Sequence, residues 1–332
     1  MKPFTFKALV AEETNGKFIQ SIKQISSSNL PDHSVLIKVH YSSLNYKDML
    51  SATGRAGVTR QYPFTPGIDA SGMVYRSSDK RFNVGDRVIV TSYDLGMNTP
   101  GGFGGYISVP GDWIVPLPKK MSLRESMMIG TSGLTAAIGV LKLINQGINP
   151  SDGNVVVTGA TGAVGSFAIA LLSKLKFNVT AITGKIEETS FLKSNGADNV
   201  LNRFDLDFQK DRPLISSKWA AGIDTVGGEL LDLLIRETAH NGSIACCGNV
   251  AGDTLNTSIY PFILRGLTLL GIDTGIAKMD DRLTIWTKLS DEWSFKKDKF
   301  CRFVKLSELP GEINKMQNSR QVGKVVIQLP DS

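Results

Sequence analysis

Cysteine and histidine are scarce here, three of each in 332 residues, and their placement excludes two ways of holding a protein together. Cys246 and Cys247 are neighbours and Cys301 stands apart, so the count offers no disulfide framework and the expected setting is a reducing, cytoplasmic one. His33, His40 and His240 share no ligand spacing with each other or with the cysteines, so no metal site is expected. No uninterrupted apolar run approaches ~18 residues, and acids follow "MKPFTFKALV" at once, so neither a membrane span nor a signal peptide is expected. The net charge is +6, yet no block of like charge occurs. A scattered basic surface suits an anionic small molecule better than nucleic acid, which would call for a basic stripe with interleaved aromatics.

What is present changes character along the chain. The first ~125 residues carry short β-type runs broken by Gly, Pro and Asp: "HSVLIKVHYSSLN" (33–45), "ASGMVYRSS" (70–78), "VGDRVIVTSY" (84–93) and "GGYISVPGDWIVPLP" (104–118). They predict a small, partly closed barrel. "SLRESMMIGTSGLTAAIGVLKLI" (122–144) reads as a helix, with Ser122 and Glu125 at capping-box spacing. From 154 on, strands and helices alternate: strands at 154–158, 178–183, 198–201, 242–247 and 267–273, helices at 163–175, 187–194 and 229–239. That alternation predicts α/β architecture with a doubly wound parallel sheet. The closing "QVGKVVIQLP" (321–330) is a strand resembling the first region. The expected division is therefore 1–125 with 278–332 as one domain and 126–277 as the other.

The stretch "NVVVTGATGAVGSFAIALL" (154–172) reads as strand, glycine turn and helix. It fits the dinucleotide fingerprint as Ala160-Thr161-Gly162-Ala163-Val164-Gly165, with Ala160 in the first glycine's place. Gly162 allows close approach of a pyrophosphate, Gly165 allows helix–strand packing, and the helix N-terminus supplies unpaired N–H groups. Such a turn also occurs for packing alone; the apolar strand before it and apolar helix after it favour a dinucleotide. An NAD-selective site would place an acid at the end of the second strand. Here "NVTAIT" is followed by Gly184 and Lys185, so the tip offers a hydroxyl at Thr183 and a cation at Lys185, with Arg203 beyond the third strand. That set suits a 2′-phosphate, hence NADPH, although both cations also read as solvated surface charges.

A barrel domain joined to a dinucleotide domain resembles the medium-chain dehydrogenase/reductase superfamily. Many of its members bind catalytic zinc through Cys and a Gly-His-Glu segment; here Ile68 and Asp69 of "TPGIDASG" stand in that place, with Asn45 near the expected cysteine. "SSLNYKDML" (42–50), "YPFTPGIDASG" (62–72), "AGIDTVGGELL" (221–231) and "YPFILRGLTLLGIDT" (260–274), together with the glycine turn, resemble the zinc-free YhdH/YhfP-type quinone oxidoreductases, a group that includes acryloyl-CoA reductases. The resemblance spans essentially the whole chain. It implies a GroES-like β-barrel catalytic domain beside a Rossmann domain, NADPH as cofactor, and a homodimer formed through the sheet domain. It implies Tyr46 beside the cofactor and Thr161, Gly162, Ala163 and Val164 on the pyrophosphate. It also implies Thr183, Gly184, Lys185 and Arg203 on the adenosine phosphate, and Cys247, Gly248, Asn249, Ile272 and Asp273 on the nicotinamide side. Lys324 and Lys185 stand where the resemblance implies arginine, keeping the charge without the bidentate fork.

The expected reaction is transfer of hydride from NADPH to the β-carbon of an α,β-unsaturated carbonyl, a short enoyl thioester such as acryloyl-CoA or alternatively a quinone or enone. A third reading is a non-catalytic NADPH-binding protein. Charge developing on the carbonyl oxygen needs a placed donor, for which Tyr46, in the polar "NYKD" loop, is the candidate; it also reads as a buried structural tyrosine. Asn45, Arg55 and Arg60 are candidate substrate contacts, the arginines for the phosphates of CoA or as plain loop charges. Lys47 and Asp48 read as a pair holding the loop, Asp69 as its orienter, Cys247 as a small buried residue. "LGMNTPGGFGGY" (95–106) reads either as a substrate border or as a turn.

Overall fold

The computed structural model describes residues 2–209 and 211–330. The chain forms two compact units, one of residues 1–131, 275–291 and 301–332, the other of 132–274 and 292–300. The divisions thus fall near, but not at, the expected 125/126 and 277/278. Residues 292–300 belong to the second unit, where Phe295 and Phe300 set their rings against Phe167.

The first unit is mainly antiparallel β-sheet. Strands β1 (Thr5–Thr14) and β2 (Lys17–Ser26) pair as a hairpin. A larger sheet has the order β14 (Cys301–Lys305), β15 (Lys324–Gln328), β3 (Val35–Leu44), β4 (Asp69–Ser77), β5 (Arg87–Thr91) and β7 (Ile114–Pro116), with β6 (Tyr106–Val109) also paired to β3. Alternate residues of β3, Val35, Ile37 and Val39, share a core with Val74, Val88, Val90 and Ile107, as a strand with one buried face requires. The last strand, β15, runs antiparallel to β3, with Val325 opposite Leu44. This pairing places the end of the chain beside the start of helix α1 (Tyr46–Ala52). The "NYKD" stretch is therefore not a loop: Asn45 is the N-cap and the next three residues are the first turn.

Helix α2 (Leu123–Asn145) opens with the expected reciprocal cap. Ser122 Oγ accepts the Glu125 N–H at 3.1 Å, and the Glu125 carboxylate accepts the Ser122 N–H at 2.9 Å. It is long and apolar enough to span a membrane by composition, but 78% of its apolar window is buried within the fold, the pattern of a core helix. It is broken at Gly130, whose φ is 53° and ψ −162°.

The second unit is a six-stranded parallel sheet ordered β10 (Asn199–Asn202), β9 (Asn178–Thr183), β8 (Asn154–Thr158), β11 (Trp219–Asp224), β12 (Thr238–Cys246) and β13 (Thr268–Gly271). Val155, Val156 and Val157 of β8 are fully buried, the continuous apolar run that a parallel strand covered on both faces needs. The chain winds outward from β8 to β10, then starts again at β11 and winds the other way. The reversal lies between β8 and β11, where a doubly wound sheet leaves a crevice at its carboxyl edge. Helices α3 (Ala163–Lys174), α4 (Thr189–Ser194), α5 (Gly228–Glu237) and α6 (Tyr260–Arg265) complete the unit. Most expected boundaries shift by one or two residues, and two changes stand out. A 3-10 turn, Ile186–Glu188, precedes α4, and β12 begins at Thr238 rather than at 242.

Helices α7 (Met279–Ser290) and α8 (Leu309–Gln317) belong to the first unit. Arg282, fully buried on α7, ties the segment leading into that helix to the end of β5. Its guanidinium donates to the carbonyls of Thr91, Gly275 and Ala277 and to Thr91 Oγ1 at 3.0–3.1 Å and lies 4.3 Å from the Tyr93 ring centre. Removing it would take a donor from three carbonyls, of which Gly275 keeps another, the Tyr93 N–H. Arg282→Met is expected to cost about 3 kcal/mol or more of unfolding free energy, with Arg282→Lys recovering only part. A urea midpoint unchanged from wild type in Arg282→Met would refute the assignment.

Candidate active site

In the first unit the candidate residues converge on one buried carboxylate. Asp69, at the start of β4 and fully buried, accepts from Ser43 Oγ, from Asn45 Nδ2 at 2.7 Å, from the Thr131 N–H at 3.0 Å and from Thr131 Oγ1 at 2.6 Å. The Lys324 ammonium, delivered by β15, lies 3.6 Å from the same carboxylate and donates to Asn45 Oδ1 at 3.0 Å. Asp48 is also fully buried. It accepts the Asn45 N–H and the Ile68 N–H, each at 2.8 Å, so it caps α1 and ties the helix to the strand that carries Asp69. Burial, and after it repulsion from Asp69, pushes the Asp48 carboxyl up to about 7. Burial likewise pulls the Lys324 ammonium down, while Asp69 and Asp48 act to keep it charged.

This geometry corrects four expectations. Asn45 is not free to bind a substrate: its amide nitrogen is spent on Asp69 and the Ser43 carbonyl, and its oxygen on Lys324. Lys324 is 1% exposed, so it meets these side chains rather than a cofactor. Lys47 and Asp48 do not pair, since Lys47 is exposed while Asp48 points inward. Tyr46 is no buried structural residue; it is 41% exposed, and its hydroxyl has no hydrogen-bond partner among the described residues. Arg55 and Arg60 lie exposed in the stretch after α1, without an ion pair among the described residues.

Two close approaches were not legible in the sequence. A Cβ at Gly130 would come within 2.4 Å of the Asp69 carboxylate and 2.5 Å of Ser43 Oγ. The break in α2 is thus what brings the Thr131 N–H onto Asp69. The glycines at 101 and 102 pack directly on the Pro66–Asp69 backbone, with Gly101 and Gly102 N–H groups donating to Thr65 and Gly67. That contact gives the "LGMNTPGGFGGY" stretch a structural role.

In the second unit the remaining candidates stand along the carboxyl edge of the sheet. After β8, Gly159 takes the left-handed conformation (φ 57°), and a Cβ on Gly165 would lie 2.5 Å from the Gly159 carbonyl oxygen. The positive-φ glycine is thus Gly159, one residue before the fingerprint register that placed Ala160 first. Gly162 is the N-cap of α3, no side chain caps that end, and Ala163 and Val164 open the helix with N–H groups that have no partner in the helix itself. After β9, Thr183 Oγ1 accepts the Lys185 N–H at 2.9 Å. Burial lowers the half-buried Lys185 ammonium, and Glu188 and Glu187 lean the other way. Arg203 follows β10 and is exposed, with no hydrogen bond or ion pair among the described residues.

On the other side of the reversal, Asp224 ends β11. It accepts from Thr158 Oγ1 at 2.7 Å and from the Gly227 N–H at 2.8 Å, and burial raises its carboxyl. The Cys247 N–H donates to the Asp224 carbonyl at 2.9 Å, its thiol to the same oxygen at 3.3 Å, and Gly248 packs on the Thr225 backbone. Burial, then the nearby Asp224 charge, pushes the Cys247 thiol up to about 12, so it stays protonated at neutral pH. Asn249 and Asp273 are exposed and Ile272 half-buried, with the Ile272 N–H bonded to the Cys246 carbonyl at 3.0 Å. The edge thus combines backbone N–H groups, one unspent guanidinium and a wall of strand ends. That is a cradle for an extended polyanion such as a dinucleotide.

Comparison with known proteins agrees with both halves. Residues 31–119 match the alcohol dehydrogenase GroES-like domain and residues 163–284 the zinc-binding dehydrogenase family. The chain is 42% identical to YhfP of Bacillus subtilis, which carries a quinone oxidoreductase name, over 98% of this chain and 99% of that protein. It is 38% identical to the acrylyl-CoA reductase AcuI of Ruegeria pomeroyi, over 97% and 98%. The crystal structure of YhfP with NAD bound superposes with a TM-score of 0.95 at 41% identity, covering 98% of this chain and all of that one. The Salmonella enterica YhdH oxidoreductase in complex with NADP gives 0.93 at 38% identity, over 98% and 100%. Among the described residues no three His, Cys, Asp or Glu side chains group as a metal site.

The raised Asp48 carboxyl has a consequence for stability. Its ordinary value is 3.8 and its folded value about 7, so between those limits the native state holds a proton that the unfolded state has lost. Stability contributed here is full at low pH and falls as pH rises through that window. Asp48→Asn imitates the protonated acid, so its stability relative to wild type should improve steadily from pH 4 to pH 8 in urea titrations. A difference independent of pH would show that Asp48 is ionised throughout.

Proposed function

The chain belongs to the family of YhfP, YhdH and AcuI, quinone oxidoreductases and acrylyl-CoA reductases of the medium-chain dehydrogenase/reductase type, and we propose that it is an NADPH-dependent reductase of activated C=C bonds, with a short enoyl thioester such as acryloyl-CoA as substrate. The observation that carries the reading is the carboxyl edge of the second unit: uncapped α3 N–H groups and, along the same edge, a guanidinium with no hydrogen bond or ion pair among the described residues. NADPH, when bound, supplies the hydride for the β-carbon. Thr161, Gly162, Ala163 and Val164 hold its pyrophosphate. Thr183, Gly184, Lys185 and Arg203 hold the adenosine 2′-phosphate, and Cys247, Gly248, Asn249, Ile272 and Asp273 border the nicotinamide. Because a relative at 41% identity carries NAD, the choice of NADPH rests on this chain's own residues, above all the lack of an acid at position 184.

The free Tyr46 hydroxyl donates to the carbonyl oxygen as negative charge grows there. Asn45, Asp48, Asp69 and Lys324 act behind it, fixing the first turn of α1. Arg55 and Arg60, both exposed and without an ion pair among the described residues, meet the phosphates of a CoA ester. A quinone is the second reading, favoured by the name of YhfP, and needs neither arginine. NADPH consumption should be followed with acryloyl-CoA and a naphthoquinone in parallel, with NADH as control. Acryloyl-CoA should turn over well, and Arg55→Glu with Arg60→Glu should raise its KM at least tenfold while leaving quinone turnover unchanged. Turnover of the quinone alone would replace the thioester reading, and no turnover of either would end the reductase reading.

The protein acts as a homodimer in the cytoplasm. Strand β13 is an open sheet edge, and α6 beside it exposes Tyr260, Ile263 and Leu264, an apolar patch continuous with unpaired strand groups. The three cysteines are free thiols, suited to a reducing compartment. Ile263→Lys should shift sedimentation from dimer to monomer; a wild-type protein that sediments as a monomer would remove the proposal.

A further inference from the structure

We infer that Phe204 is a specificity-determining residue for the cofactor: with Gly184 it holds the Arg203 guanidinium in place for the 2′-phosphate. The inference rests on the proposed reading that Arg203 meets that phosphate. Four observations lead to it. The Arg203 Cζ lies 4.6 Å from the centre of the Phe204 ring. A Cβ at position 184 would stand 2.7 Å from Arg203 Nε and 3.1 Å from Cζ, so the guanidinium fills the space that a side chain there would take. Asn202, paired to Thr183 across β9 and β10, accepts the Phe204 N–H on its Oδ1 at 3.2 Å, which fixes the 3-10 turn carrying both residues. Phe204 is 68% exposed, with its ring against the guanidinium.

An exposed arginine ordinarily samples many rotamers, and ordering it weakens whatever it binds. Here the ring offers a cation–π seat, while the missing side chain at 184 leaves the seat open. The N–H groups of the guanidinium stay unspent, ready for a bidentate phosphate contact. The contrast with neighbouring cations is direct. Arg236 spends its donors on Asp232 and on the carbonyls of Phe208, Gln209 and Arg212, and Lys185 lies in the field of Glu187 and Glu188. Glycine at 184 therefore does two things at the position where an NAD-selective enzyme carries an acid. It withholds the carboxylate that would bond the 2′-hydroxyl, and it makes room for the arginine that answers the 2′-phosphate.

The test measures binding of 2′,5′-ADP and 5′-AMP to the full-length protein by calorimetry, for wild type, Arg203→Met, Phe204→Leu and Gly184→Ala. Thermal melts should show all four folded, since the substituted groups lie on the surface. Arg203→Met should lose about tenfold or more in affinity for 2′,5′-ADP. Phe204→Leu should lose about two- to fivefold, and Gly184→Ala should approach Arg203→Met, with 5′-AMP binding unchanged in all three. In kinetics the loss should appear in KM for NADPH and not in kcat. If Arg203→Met weakens 2′,5′-ADP but Phe204→Leu and Gly184→Ala do not, the inference is wrong and the phosphate reading stands. If Arg203→Met leaves 2′,5′-ADP untouched, the phosphate reading itself fails. Equal losses for both ligands in Phe204→Leu would make its role structural and overturn the inference.

Discussion

The carboxylate of Asp69 is the interaction on which the first unit's chemistry depends. A buried anion is tolerable only when its oxygens are met by donors and its charge by a cation. Here a hydroxyl and an amide from the end of β3, a backbone N–H and hydroxyl from the broken α2, and an ammonium from β15 all converge on it. The donors come from three separate parts of the chain, so satisfying one charge fixes those three segments against β4. Lys324 supplies the matching cation from within the fold. Such a cluster adds little to net stability, because desolvation offsets the attraction. Its yield is geometric: the first turn of α1 is fixed in place, and Tyr46 is left as the outward-facing hydroxyl.

The second unit is organised by a different economy. The edge proposed to bind the dinucleotide is built almost wholly from main chain, because parallel strands all end on one side and the turn after β8 leaves helix N–H groups uncapped. Side chains enter only where selection between ligands is needed. Asp224 illustrates the difference from Asp69. It too is a buried acid, yet its partners are local, Thr158 across one ladder and the N–H groups two and three residues ahead. It shapes the β11 turn and adds to the burial that keeps the Cys247 thiol protonated. Of Asp69 and Asp224, one organises a distant constellation and the other a single turn.

What the sequence revealed follows the same line. The alternation after residue 154, the apolar β8 and the glycine turn were legible because parallel strands and helix starts are written in short, contiguous patterns. The capping box at Ser122 and Glu125 was legible for the same reason. Lys324 and Asn45 are 279 positions apart, and no local pattern announces that one would donate to the other. Without that contact Asn45 read as a substrate contact and Lys324 as a cation on the cofactor. Gly130 sat inside a helical pattern and gave no sign that Asp69 would occupy the space of its side chain. Phe204 looked like any residue in a polar stretch. A useful signal was present but weak: a glycine inside a strongly apolar helix, or directly after a strand, often marks a place where another group must come close.

The two halves also differ in how readily they could change. The residues proposed to select the cofactor, Gly184, Lys185, Arg203 and Phe204, are exposed or, at Lys185, half-buried, and substitution there disturbs little else. The residues behind Tyr46 are buried and mutually dependent, so that altering one leaves another charge or donor unpaired. Two relatives of similar identity to this chain were crystallised with different cofactors, NAD in YhfP and NADP in YhdH. For this chain the reading of the residues proposed to select the cofactor, not overall similarity, decides for NADPH.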